Sequence, residues 1–140
     1  MALDLSSLRK AVASLESSLN VACSRKKMAA LDKEQREAIR AGVIQNFEFT
    51  YELCWKFIKR WLDENYTSGY ADGITRKELF RIAAENRLIR NAKLWMKYHE
   101  ARNETSHTYN EAIAREVFTV AVKFLPEAKG LLKALEEKND

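Results

Sequence analysis

Proline and glycine are nearly absent from this chain, with one proline and four glycines in 140 residues. An all-β domain needs many tight turns built on those residues, so their scarcity excludes that class. Cysteine is equally sparse. Cys23 and Cys54 stand alone, with no Cys-x-x-Cys pair. That argues against a disulfide framework or a cysteine-built zinc site, and for two reduced thiols in a cytoplasmic protein. No apolar run approaches the roughly 20 residues that span a bilayer. The opening Met-Ala-Leu-Asp-Leu-Ser-Ser-Leu has neither a basic leader nor a continuous apolar segment, so no signal peptide and no membrane partner are expected.

What remains is a helix-forming composition. Hydrophobic residues make up 46% and charged residues 31%, which suits a folded domain. Ala, Leu, Glu, Lys and Arg dominate, all with good helix propensity. One all-α domain over residues 1–140 is expected, with five helical segments. Leu5, Leu8, Val12, Leu15, Leu19 and Ala22 recur at steps of three and four and predict a first helix over about 4–25, closed by Arg25-Lys26-Lys27. A second and longest helix over about 33–64 starts at a capping box, Asp32 with Gln35. It carries two apolar stripes. Ile39, Val43, Phe47, Cys54, Phe57 and Trp61 form one, and Ile44, Tyr51, Trp55, Ile58 and Leu62 the other. So wide an apolar girth predicts a central position or a contact with another subunit, with Tyr51 and Trp55 as interface residues.

Residues 63–74, with two glycines, read as the main loop. Thr75 and Glu78 predict a capping box for a short third helix ending near Asn86. Asn91 caps a fourth helix that turns Leu94, Trp95, Tyr98 and Ala101 inward. A fifth begins near Asn110, and Pro126 predicts a kink or break close to Leu125. The expected architecture is an antiparallel up-and-down four-helix bundle with an additional short helix.

Charge is unevenly spread. The chain carries +4 overall, yet residues 75–102 alone hold eight basic side chains against three acids. This segment reads either as a solvated helix surface or as an anion-binding face. It ends in Arg102-Asn103-Glu104-Thr105-Ser106-His107-Thr108-Tyr109. Arginine offers a permanent planar fork of donors for phosphate, and histidine is the side chain that ordinarily titrates near neutrality. At five positions apart, a continuous helix would splay Arg102 and His107 by about 140°. They share a site if the helix stops between them or a second subunit supplies its own copy.

On these residues the chain resembles the HEPN superfamily, whose motif is Arg, a polar residue, several more residues, then His. Here that run is Arg102-Asn103-x-x-x-His107, followed by Thr108-Tyr109. Upstream, Phe47-Glu48-Phe49-Thr50-Tyr51-Glu52-Leu53-Cys54-Trp55 looks like the second-helix signature of the nucleotidyltransferase substrate-binding protein family, a HEPN branch. The likeness extends over nearly the whole chain. It implies a homodimer that partners a separate minimal nucleotidyltransferase in a toxin–antitoxin module, with RNA or a nucleotide as further ligand. It also implies a metal-independent ribonuclease site, with His107 as general acid or base, Arg102 on the developing phosphorane charge and Asn103 on the phosphate. Tyr109 occupies the position that the transferase is thought to adenylylate. The alternative within the family is a non-catalytic subunit that presents substrate to the transferase.

The remaining polar residues carry plainer readings. Gln45, Glu48 and Glu52 form a strip expected to line the cleft or hold Arg102. Glu48, Glu52 and Glu104-x-x-His107 invite a di-iron reading, but one Glu-x-x-His per chain does not complete such a set. No metal and no cofactor are expected. His99, beside Glu100, is expected on the exposed side of the fourth helix without a role. No Gly-rich phosphate loop and no Gly-Ser or Asp-x-Asp transferase signature occurs, so this chain is not the transferase.

Overall fold

The computed structural model describes residues 2–139, and among these there is no strand. Six α-helices follow one another: α1 Ser6–Ala22, α2 Arg25–Ala29, α3 Lys33–Asn65, α4 Arg76–Glu85, α5 Ala92–Asn103 and α6 Glu111–Glu137. A 3₁₀ turn, Glu104–His107, joins α5 to the segment before α6.

Side-chain caps start most of these helices. Asp32 accepts from the Gln35 amide at 2.8 Å while the Gln35 side chain accepts from the Asp32 amide at 3.0 Å, a complete capping box. Asn91 and Asn110 accept from the amides of Leu94 and Ala112 at 3.1 and 2.9 Å. Thr75 accepts from the Glu78 amide at 3.1 Å. The expected reciprocal half of that box is missing, because the Glu78 carboxylate is drawn to Arg81 instead. The first helix ends at Ala22 rather than near Arg25. Ser24 caps a separate short helix by accepting from the Lys27 amide, so the basic run opens α2 instead of closing α1.

The expected break at Pro126 does not occur, and α6 is continuous through it. Pro126 is exposed, as is Val122 one turn earlier, so water can serve the Val122 carbonyl that loses its amide partner. Phe124, Ala128 and Leu131 on the opposite face are buried and hold the helix to the core.

Cross-helix contacts fix the topology. Thr50 donates to the Ala11 carbonyl and Asn46 to Ser18, which sets α3 antiparallel to α1. Arg9 pairs with Glu136 and Lys129 with Glu16, so α6 is antiparallel to α1 as well. Tyr51 meets His99 while Glu48 meets Thr105, which makes α5 antiparallel to α3. These helices thus alternate in direction, and α4 packs on the side of the bundle against α3 and α5.

Both stripes of α3 are consumed inside one subunit, because α3 touches α1, α4, α5 and α6. Tyr51 is therefore a core residue with no exposed surface, not an interface residue. Trp55 is half-buried under a side chain of α4. The large apolar group of α3 left in solvent is Phe49, 59% exposed.

Phe124 is the centre of the core. Its ring lies edge-on to Phe47, Tyr98 and Trp95, with centroids 5.2, 5.0 and 5.6 Å away. Such geometry adds to the area that aromatic burial removes from water. Phe124→Ala should lower the free energy of unfolding by about 3–5 kcal/mol, read from urea denaturation. A loss below about 1 kcal/mol would mean that the core does not depend on this ring.

Candidate functional site

The site begins where α5 runs out. Arg102 lies in its last turn, and the chain tightens into the 3₁₀ turn directly after Asn103. Thr108 favours this change by turning its hydroxyl onto the chain itself, and the single Thr105 hydroxyl proton lies between the chain and Glu48 of α3. The Thr105 hydroxyl lies 2.7 Å from the Arg102 carbonyl oxygen, and the Thr108 hydroxyl donates to the Thr105 carbonyl at 3.0 Å. Such local bonds compete with a continuing helix. The 140° splay of an unbroken helix accordingly does not apply.

Arg102 folds back onto α3. Its Nε donates to Glu52 Oε1 at 2.7 Å, and Nη1 lies 3.8 Å from Glu48 Oε2. Glu48 also takes a hydrogen bond from the Thr105 hydroxyl. Two carboxylates one helical turn apart therefore grip both the end of α5 and the turn after it. Gln45, one turn earlier on α3, is exposed and makes no hydrogen bond in this cluster. Among the described residues, no hydrogen bond occupies the Nη nitrogens of Arg102.

Asn103, His107 and Tyr109 stand in solvent. The rings of His107 and Tyr109 approach edge-on at 6.3 Å, and Tyr109 is 86% exposed. One subunit thus presents a half-buried, carboxylate-held guanidinium at a helix end, followed by an exposed imidazole and phenol.

The sequence does not indicate how three residues of this neighbourhood are placed. His99 is not on an exposed face. It is half-buried, and its Nδ1 lies 2.8 Å from the Tyr51 hydroxyl. Burial holds the His99 imidazole below its ordinary value of 6.5, with the Arg76 charge acting in the same direction. Burial likewise drives the Tyr51 phenol well above its usual range. The direction of this hydrogen bond follows the histidine tautomer: with the proton on Nε2 the Tyr51 hydroxyl donates, and with it on Nδ1 the hydroxyl accepts. The available signal is its spacing, three residues before Arg102 on one side of α5.

Trp55 and Arg76 are the other two. The Trp55 indole donates to Glu52 Oε2 at 3.1 Å, and the Arg76 guanidinium carbon sits 3.4 Å from the Trp55 ring centroid. Glu52 therefore joins Trp55 to Arg102 through its two oxygens.

No group of three or more His, Cys, Asp and Glu side chains is arranged to hold a metal among the described residues. Cys54 is fully buried, which pushes its thiol up and keeps it unreactive. Among the described residues, no helix is long and apolar enough to cross a membrane. A cavity of about 400 Å³ between the α4–α5 connection and α6 is lined by Leu88, Arg90 and Pro126 among others, and by no residue of this cluster.

The all-helical bundle matches a known family. Residues 3–137 match the family described as nucleotidyltransferase substrate binding protein like, and the chain belongs to that family. A probable ribonuclease HepT from Haemophilus influenzae is 36% identical over 105 residues, covering 74% of this chain and 72% of that protein. A solved Haemophilus influenzae structure, described as revealing the fold of a substrate binding domain of a nucleotidyltransferase, superposes with a TM-score of 0.91. It is 32% identical and covers 95% of this chain and 99% of that one. A solved protein from Thermus thermophilus gives a TM-score of 0.64 at 29% identity, covering 94% of this chain and 97% of that one.

The His99 environment has a measurable consequence. The unfolded chain takes up a proton at about 6.5, whereas the folded protein resists it until lower pH. The stability that neutral His99 contributes is therefore present above about pH 6.5 and declines as pH falls toward the folded value. Urea midpoints of the wild type should drop more between about pH 7.5 and pH 5 than those of His99→Phe. Parallel pH profiles for the two proteins would show that His99 is not the group responsible.

Proposed function

We propose that this chain is the HEPN-type, toxin-like half of a cytoplasmic toxin–antitoxin pair, a homodimer that binds a separate minimal nucleotidyltransferase. Its reaction is metal-independent cleavage of RNA at the site built around Arg102, Asn103 and His107. The observation that carries this reading is the layout at the end of α5. There Glu52 and Glu48 fix the Arg102 guanidinium at the surface while His107 and Tyr109 remain open to solvent. The similarity to a probable ribonuclease supports the same conclusion.

In this mechanism His107 withdraws the proton of a ribose 2′-hydroxyl. The 2′-oxygen attacks the adjacent phosphorus, the bond from phosphorus to the 5′-oxygen breaks, and the leaving oxygen takes up a proton from water. The products are a 2′,3′-cyclic phosphate and a 5′-hydroxyl. The Nη donors of Arg102 face the charge growing on the phosphorane, where a fixed donor lowers the barrier most. Asn103 hydrogen-bonds a non-bridging oxygen. A second subunit completes the site, because each copy contributes an exposed imidazole five residues along the chain from a carboxylate-held arginine. Adenylylation of Tyr109 by the transferase would place a nucleotide next to His107 and close the site.

The second reading is a non-catalytic subunit that presents substrate to the transferase. The pairing of Arg102 with two carboxylates favours it, since a guanidinium so held can position a ligand without cleaving it.

Incubation of purified protein with single-stranded RNA in EDTA separates the two. Cleavage should persist in the chelator and fall by roughly 10²–10⁴-fold in His107→Ala, the range expected for loss of a general acid–base. Absence of cleavage by protein shown by mass spectrometry to carry unmodified Tyr109 would leave the presenting subunit as the function.

The dimer has its own test. Sedimentation should give the mass of two chains, and Phe49→Asp should shift it toward one chain with helicity unchanged. A wild-type protein that sediments as a monomer at micromolar concentration would refute the two-subunit site.

A further inference from the structure

The arginines of the basic segment differ in their counter-ions. Arg81 is paired with Glu78 and Glu85, Arg90 with Glu127, and Arg102 with Glu52 and Glu48. Arg76, although half-buried, has no carboxylate within ion-pair distance among the described residues. Its Nε is buried without a hydrogen-bond partner. Its guanidinium carbon lies over the Trp55 indole, 3.4 Å from the ring centroid. The Lys56 ammonium stands 5.8 Å from the same centroid and also lacks an ion pair among the described residues.

A cation partly withdrawn from water keeps its charge at a cost unless something compensates it. Stacking on an indole compensates only in part. The two oxygens of Glu52, the acid bonded to that indole, already accept from Trp55 Nε1 and Arg102 Nε. The same carboxylate thus orients both the Trp55 platform and the Arg102 fork, which places Arg76 and Lys56 on the flank of the Arg102 site. The Arg76 charge is felt by His99 on α5, which agrees with that placement.

We propose that Arg76 and Lys56, mounted on Trp55, form a phosphate-binding subsite that holds a backbone phosphate of single-stranded RNA flanking the one at Arg102. This rests on the RNA-directed reading of that site. Arg76 supplies Nη donors to the non-bridging oxygens, and Lys56 adds a second positive charge. The planar guanidinium, pinned by the indole on one side, also offers its other side to a stacked base. Neither residue touches the reacting atoms. Their role is to register the strand.

Binding rather than cleavage tests this, so that the nuclease reading and the subsite can fail separately. In a His107→Ala background, which removes turnover, a labelled single-stranded RNA of about twelve nucleotides is titrated by fluorescence anisotropy from about 50 to 300 mM salt. Arg76→Gln should weaken binding several-fold at low salt. It should also reduce the slope of log affinity against log salt by about 0.7, the loss of one phosphate contact on a single strand. Arg76→Lys keeps the charge and should keep the slope, while losing affinity with the stack.

An unchanged slope and affinity in Arg76→Gln would overturn the subsite even if wild-type protein cleaves RNA. So would an Arg76→Lys variant that loses as much slope as Arg76→Gln, since that would mark a structural loss. If ATP binds with Arg76 dependence and RNA does not bind, the site belongs to a nucleotide and the proposal is wrong. Arg76-dependent RNA binding by a protein that never cleaves would retain the subsite and discard the nuclease.

Discussion

A single carboxylate organises this end of the molecule. Glu52 accepts from the Trp55 indole with one oxygen and from Arg102 with the other, and Trp55 in turn carries Arg76 from α4. Three helices therefore meet at one acidic side chain. Half-buried ion pairs of this kind contribute modestly to stability, but a two-oxygen acceptor fixes direction closely. The guanidinium of Arg102 is set at one angle because Glu52 is itself set by the indole, and Glu48 with Thr105 fixes the turn that follows. Precision at the surface is inherited from α3, whose neighbouring residues Tyr51 and Cys54 are fully buried.

Much of the fold was legible in the chain. Helix starts at Asp32, Asn91 and Asn110 were readable because a cap and its partner amide lie within three residues, and local chemistry decides them. The inward faces of α1 and α3 were readable because their period is local too. The end of α1 was harder. Ser24 followed by three basic residues reads equally as a helix tail or as a fresh cap, and only packing chooses. Pro126 does not break its helix for the opposite reason, since its position on the solvent side of a firmly packed helix removes most of the penalty that the residue type suggests.

The site was legible in its outline and not in its wiring. Arg102, His107 and Tyr109 stand out because they crowd unusual chemistry into eight residues. Glu52, the partner of Arg102, was recognisable as part of a polar strip beside the apolar stripes of α3. The stacking of Arg76 on Trp55 joins residues from two helices separated by a loop, and no periodicity records such a contact. Glu100 beside His99 suggests an exposed face, yet one position on a helix turns a side chain by about 100°. The second stripe of α3 suggests an interface by its width and instead forms the wall against α4 and α5. Girth alone does not say which neighbour covers it.

The two extremities of the described chain are clasped together. The Leu3 amide donates to the Asn139 side-chain carbonyl at 2.7 Å, and the Asn139 side-chain amide donates back to the Leu3 carbonyl at 2.9 Å. Beginning and finish are therefore neighbours in space, as the architecture of many compact domains allows. A short peptide bridging them, with new ends opened in the glycine-bearing loop between α3 and α4, would re-order the chain while leaving every helix in place. Cargo or labels attached at either end would emerge from that one seam, where α1 and α6 meet.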